Sequence, residues 1–160
     1  MEGTTALAVG LHLSDIKRKI EGELKMALKN RDEVGISTRR MLLSDVHNQE
    51  IQNRQALTDD QVVGVLSSSA KKHRDSIAQF SQGGRADLVA KEEAELKVNE
   101  SYLPEQLSSE AVKKVVAAVV AELKPQGPKD FGKVMQAVMA KVKGQASGAL
   151  VSRAVKEALS

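Results

Sequence analysis

Apolar residues recur along most of this chain with the spacing of an α-helix, and this periodicity constrains the fold more than any other feature. Residues 112–123 and 131–142 each carry six apolar residues at i, i+3, i+4, i+7, i+8 and i+11. Such offsets place one side of a helix against a core. A strand would need a two-residue alternation, which the sequence lacks. We therefore predict an all-α fold, even for the valine-rich segment whose composition alone would favour a strand.

The N-terminal part is predicted to form a bundle of about four helices. The predicted helices cover, in order, residues 14–28, 32–54, 58–82 and about 85–102. Ser14 is a candidate N-cap, and Thr58 with Gln61 has the pattern of a capping box. Gly83 and Gly84 stop the third helix. The residues expected to face inward include Ile16, Ile20, Leu24 and Leu28 in the first helix, and Ile36, Leu43, Val46 and Ile51 in the second. In the third helix they are Val62, Leu66, Ala70, His73, Ile77 and Phe80.

The C-terminal part is predicted to be a separate three-helix bundle. Pro128 suits the first turn of its second helix, and Ser147 suits the cap of its third. All three prolines of the chain fall between residues 104 and 128. We therefore divide the chain near Pro104, into an N-terminal extension (1–13), an N-terminal helical subdomain (14–104) and a C-terminal subdomain (105–160).

The positive charge of the chain is concentrated in the C-terminal part. Residues 1–104 carry 15 Lys+Arg against 16 Asp+Glu, a net −1, whereas residues 105–160 carry 9 against 5, a net +4. A basic subdomain on a neutral body suggests a contact surface for a polyanion, although ordinary solvation explains such charges equally well. The chain has only three aromatic residues, which argues against nucleic-acid modules that stack bases on aromatic platforms.

Several classes of site are excluded or disfavoured by composition. The absence of cysteine removes disulfides, thiolate metal sites and cysteine nucleophiles. His12, His47 and His73 have no metal-ligand spacing, so we expect neither a metal nor another cofactor. The start of the chain has no basic region before its apolar residues, and the longest apolar run is far too short to span a membrane. A cytoplasmic protein is the resulting expectation.

Two further patterns could carry chemistry, and both have simpler structural explanations. Ser68-Ser69-Ala70-Lys71 has the S-x-x-K spacing of some serine enzymes, but the partner motifs of those enzymes are missing. Glu92 and Glu95 could act as paired carboxylates. We expect instead that they form ion pairs with Arg74 or Arg85, and that His73 is a buried or boundary histidine whose hydrogen bonds are satisfied.

The candidate binding residues lie around the second helix of the C-terminal part. We expect Lys129, Lys133 and Lys141 to share a helix face, on which small residues let a sugar–phosphate backbone approach closely. Helix packing through those small residues is the alternative. The full predicted nucleic-acid-binding set is Lys129, Gly132, Lys133, Lys141, Lys143, Gly144, Gly148 and Arg153. We predict no catalytic residue and no metal ligand.

Six short stretches in the same order resemble the YqeY family, whose fold is also the tail domain of the GatB subunit of tRNA-dependent amidotransferases. They are residues 40–44 (RMLLS), 71–80 (KKHRDSIAQF), 84–88 (GRADL), 91–96 (KEEAEL), 102–107 (YLPEQL) and 132–135 (GKVM). The resemblance implies an all-helical protein in two parts, related to an element that contacts the tRNA elbow. It also implies a family-level label of carbon–nitrogen ligase activity with glutamine as donor, which this chain alone has no residues to catalyse.

One segment departs from the family pattern. Where the family often has Gly-Arg-Ala-Asp-Gly, this chain has Gln145 and Ser147 in place of the arginine and the acidic residue, which removes one phosphate-binding charge. Three hypotheses follow. The chain is a stand-alone tRNA-binding module, associated with amidotransferase subunits or an aminoacyl-tRNA synthetase. Alternatively it is a helical adaptor between proteins without RNA binding, or, ranked last, an enzyme of unrecognised type.

Overall fold

The computed structural model describes residues 14–160, which form helices joined by turns and short irregular segments. Its elements are α1 (Asp15–Asn30), α2 (Glu33–Asn53), α3 (Asp59–Gln82), α4 (Ala86–Glu100), α5 (Ser109–Leu123), a 3-10 turn (Pro128–Asp130), α6 (Phe131–Val142) and α7 (Gly148–Leu159). No strand occurs among these residues, which confirms the predicted all-α fold. The predicted N-terminal extension and His12 lie outside the described residues.

The chain divides into two compact units, one ending at Leu103 and the other running from Pro104 to Ser160. Helices α1–α4 belong to the first and α5–α7 to the second. The core of the N-terminal unit consists of Ile20, Leu42, Val46, Leu57, Val62, Leu66 and Tyr102. The core of the C-terminal unit contains only valine and alanine among its buried residues: Val112, Val116, Val119, Val134, Val138, Val142, Ala146, Val151, Ala154 and Val155.

Side-chain caps fix where several helices begin, as the sequence predicts. Ser14 accepts a hydrogen bond from the Lys17 amide at 3.0 Å. Thr58 and Gln61 form a complete capping box, because each side chain accepts a hydrogen bond from the other residue's backbone amide. Satisfying the amides of the first turn stabilises a helix end by about 1 kcal/mol.

Two residues that we expect to face inward are exposed instead. Leu28 is 45% exposed and Ile51 is 60% exposed. The buried residues of α1 are Ile20 and Ala27, and those of α2 are Gly35, Thr38, Leu42 and Val46. The second of the C-terminal helices also begins later than predicted, because Pro128 opens a separate 3-10 turn and α6 starts at Phe131. None of the helices described is long and apolar enough to cross a membrane.

Candidate nucleic-acid interface

The predicted cationic residues lie on α6, on α7 and in the segments that flank α6. Lys133 is in the first turn of α6 and Lys141 in its last, so about 12 Å of helix rise separates them. From the sequence we expect Lys129 to share a helix face with Lys133 and Lys141. Lys129 lies instead in the 3-10 turn before α6, so it is outside the register of that helix. Lys143 follows the helix and Arg153 is on α7. All five side chains are exposed.

Ion pairing distinguishes these cations from one another. The Lys141 ammonium lies 3.4 Å from a carboxylate oxygen of Glu122 on α5, so part of its charge is already balanced within the unit. In contrast, Lys129, Lys133 and Arg153 form no ion pair with a residue of the described chain. An exposed ammonium or guanidinium without an internal partner can contact a phosphate without first breaking a bond. Among the five predicted cations, these three therefore have no ion pair to break before contact with a polyanion.

The turn between α6 and α7 is held in place by the segment that precedes α5. The Gln106 side-chain amide donates to the Gly144 carbonyl at 2.8 Å, and the Leu107 amide donates to the Gln145 carbonyl at 2.7 Å. Ser147 then caps α7 by accepting from the Leu150 amide at 3.2 Å. These bonds fix the backbone at Gln145, the position at which an arginine is expected from the resemblance.

The glycines of the predicted set differ in their surroundings. Gly144 has a φ of 76°, which favours glycine, whereas Gly132 and Gly148 lie inside α6 and α7. A Cβ added at either helical glycine would meet no atom within 4 Å. Neither glycine therefore serves close packing against another described helix.

Outside this surface, the structure brings together a group that sequence spacing does not predict. His73 Nδ1 on α3 lies 2.6 Å from Glu92 Oε2 and 3.7 Å from Glu95 Oε2, both on α4. The ion pairs that we expect for these glutamates are wrong. Arg74 pairs with Glu100 at 3.2 Å and Arg85 with Asp87 at 3.1 Å.

The S-x-x-K pattern has no catalytic geometry. Ser68 and Lys71 are both exposed on α3, and neither side chain hydrogen bonds to a base among the described residues. A serine nucleophile requires a positioned base within hydrogen-bonding distance. Among the described residues, no base is therefore positioned beside Ser68.

A family profile described as "Yqey-like protein" matches residues 17–159. The chain belongs to this family. It is 26% identical over 142 residues to the mitochondrial protein "Altered inheritance of mitochondria protein 41" of Pyrenophora tritici-repentis, covering 87% of this chain and 78% of that protein. The protein of the same name in Kluyveromyces lactis is 33% identical over 124 residues, covering 72% of this chain and 66% of its own.

The matched length varies among the relatives. An uncharacterised protein of Schizosaccharomyces pombe is 29% identical over 97 residues, 61% of this chain and 79% of that protein. Against the Vanderwaltozyma polyspora relative the chain spans only about half of the relative's length, 46%. Family membership and the helical fold of the described residues are therefore established, and the names of these relatives assign no reaction.

Proposed function

We propose that this chain is a tRNA-contacting module whose C-terminal unit holds backbone phosphates weakly and without reading bases. The single observation that carries the proposal is the set of exposed cations Lys129, Lys133 and Arg153, which have no ion-pair partner among the described residues, on a segment of net charge +4. Phosphate contacts supply sequence-independent affinity. The unit has one aromatic residue, Phe131, and that side chain packs against the core. Base stacking therefore adds little.

Association with amidotransferase subunits or with an aminoacyl-tRNA synthetase is the biological setting that we propose for this module. The support is the resemblance to an amidotransferase tail domain. The chain would then contribute RNA contact rather than chemistry, and the carbon–nitrogen ligase label would describe the whole assembly. We keep the cytoplasmic location as a prediction. The fungal relatives are named as mitochondrial proteins, and the proposed contact with tRNA suits either compartment.

Filter binding of bulk tRNA at several salt concentrations tests the proposal. If about three phosphates are neutralised, the log–log slope of affinity against salt should be roughly −2 to −3. Lys133→Glu should weaken binding of all tRNAs alike, because it places a negative charge at a phosphate contact. Gln145→Arg should strengthen binding, because it adds a cation beside a fixed turn.

Lys71→Glu is the matched control, since Lys71 is an exposed lysine of the other unit and the charge change is the same. It should bind tRNA nearly as well as the unaltered protein. Binding that does not depend on salt, or equal binding by the Lys133→Glu variant and the unaltered protein, would contradict the electrostatic mechanism. The adaptor hypothesis would then be favoured, and a pulldown at native salt with both RNA and protein identified would test it.

A further inference from the structure

The helical hairpin of α3 and α4 brings three metal-ligating side chains together inside the N-terminal unit. Glu92 and Glu95 are three residues apart on α4, so their carboxylates lie on the same helix face. His73 faces them from α3. One ligand atom from each residue lies within 4.8 Å of the others. The arrangement joins residues from two packed helices rather than from one flexible loop.

Two residues of this cluster, His73 and Glu95, are buried and leave polar atoms without a hydrogen bond to the described residues. Glu95 is only 8% exposed, and its carboxylate lies 3.7 Å from His73 Nδ1, which is beyond hydrogen-bonding distance. His73 is 6% exposed and turns Nδ1 towards the two glutamates, while Nε2, on the other side of the ring, has no hydrogen-bond partner among the described residues. A buried carboxylate without a hydrogen-bonded partner is costly. The burial of His73 and Glu95 is an observation separate from the 4.8 Å spacing of the ligand atoms.

The charges of the cluster do not balance within the described chain. Two carboxylates face one imidazole, which can carry one positive charge at most. The arginines that we expect as partners from the sequence, Arg74 and Arg85, are paired with Glu100 and Asp87 instead. A divalent cation would neutralise both carboxylates and leave the imidazole neutral, as metal coordination requires.

We propose that His73, Glu92 and Glu95 bind one zinc ion. Imidazole nitrogen and carboxylate oxygen are common zinc ligands, at about 2.0–2.2 Å from the metal. A tetrahedral site with such bonds separates its ligand atoms by about 3.4 Å. The His73–Glu95 distance of 3.7 Å is close to this value, and the His73–Glu92 distance of 2.6 Å must widen by about 0.8 Å.

The composition of the site favours zinc over the hard divalent cations. Mg²⁺ and Ca²⁺ prefer oxygen ligands alone, whereas the imidazole favours zinc and its neighbours in the transition series. Three protein ligands leave a fourth position for water. Glu92 retains 20% exposure of its side chain, so the cluster has a route to solvent.

Cobalt substitution tests the proposal on the full chain. After removal of bound metals with a chelator, Co²⁺ should bind with a stoichiometry of one and give the visible absorption of four- or five-coordinate cobalt. Zn²⁺ should displace it, and Mg²⁺ at the same concentration should not. ¹⁵N NMR of the imidazole nitrogens should show a zinc-dependent shift at His73.

Glu95→Gln is the decisive variant, because it keeps the shape of the side chain and removes its charge. We expect it to weaken zinc binding at least about 100-fold, since even outer partners of metal ligands contribute about 10- to 100-fold. Glu93→Gln is the matched control on an exposed position of the same helix, and its affinity should stay within about twofold of the unaltered protein.

Absence of cobalt and zinc binding would overturn the proposal, as would equal zinc affinity of the Glu95→Gln and Glu93→Gln proteins. If Glu95→Gln fails to fold, the NMR measurement on the unaltered chain decides. A zinc-dependent shift at His73 supports the site. Shifts confined to His12 or His47 show binding elsewhere and contradict it. The tRNA titration concerns the other unit, so the two proposals fail independently.

Discussion

Tyr102 is the only tyrosine of the chain, and there is no tryptophan, so its absorption and fluorescence report one position. The residue is 5% exposed, and its hydroxyl donates a hydrogen bond to Glu23 on α1. The same oxygen accepts a hydrogen bond from Arg39 Nε on α2 at 2.6 Å. Burial, and then the bond to the Glu23 carboxylate, raise the pKa of Tyr102 to about 12. Tyr102 thus joins the end of α4 to two other helices.

We predict that tyrosinate absorbance will titrate with a midpoint of about 12 instead of the ordinary 10. Because the folded pKa is raised, the corresponding stabilisation is complete below pH 10 and is lost as the pH rises towards 12. The N-terminal unit should therefore lose stability across this interval. Glu23→Gln should lower the midpoint towards 10, because it removes the negative charge that disfavours tyrosinate. A midpoint of about 10 in the unaltered, folded protein would contradict both the burial of Tyr102 and its bond to Glu23.

At the scale of single elements, the sequence predicts where helices lie better than which face each one buries. The fourfold spacing from Ile16 to Leu28 advances by 400° per step, so the stripe rotates about 40° each time. After three steps Leu28 has moved about 120° away from Ile16, and the structure buries Ala27 instead. Apolar residues spaced only at i+4 therefore predict too many inward-facing residues. Contacts with the neighbouring helices determine which of them are buried.

The cluster of His73, Glu92 and Glu95 could be predicted from the sequence, but not by a search for metal-ligand spacing along one segment. His73 precedes Gly83 by ten residues, and Glu92 and Glu95 follow Gly84 by eight and eleven. In an antiparallel helical hairpin, residues at similar distances from the turn face each other. Pairing α3 with α4 about this turn would have placed the histidine between the two glutamates. The apolar stripe of α3 correctly predicts the burial of His73, whereas the burial of Glu95 depends on how the helices of the unit pack.

The turn between α6 and α7 provides a prediction for the candidate interface. Gly144→Ala should destabilise the C-terminal unit by about 1 kcal/mol or more, because an L residue in the left-handed region is strained. Gly148→Ala is the matched control, since its Cβ would meet no atom within 4 Å. Its stability should change by no more than about 0.5 kcal/mol. Urea unfolding followed by circular dichroism measures both, and equal losses would contradict the role of the turn.

On the scale of the whole molecule, two cores of different character hold the described chain together. The N-terminal core relies on leucine, isoleucine, valine and Tyr102, whereas the buried core of the C-terminal unit is made of valine and alanine. Each core is built from the helices of its own unit. The candidate RNA surface belongs to the C-terminal unit and the proposed zinc site to the N-terminal unit. The division of the chain near Pro104 therefore leads to a proposal about how the two units unfold.

We propose that the two units unfold as separate cooperative units, and Tyr102 allows this to be measured. Val138 is fully buried in the C-terminal core, and Val138→Ala removes two buried carbons at a cost of about 2 kcal/mol. It should shift part of the helical dichroism transition and leave the midpoint of tyrosine fluorescence unchanged. Leu66→Ala, in the N-terminal core, should lower the free energy of unfolding of that unit by about 2–5 kcal/mol and thereby lower the fluorescence midpoint. If both variants shift one coincident transition seen by both probes, the units unfold together, because separate units cannot transmit a loss of stability from one core to the other.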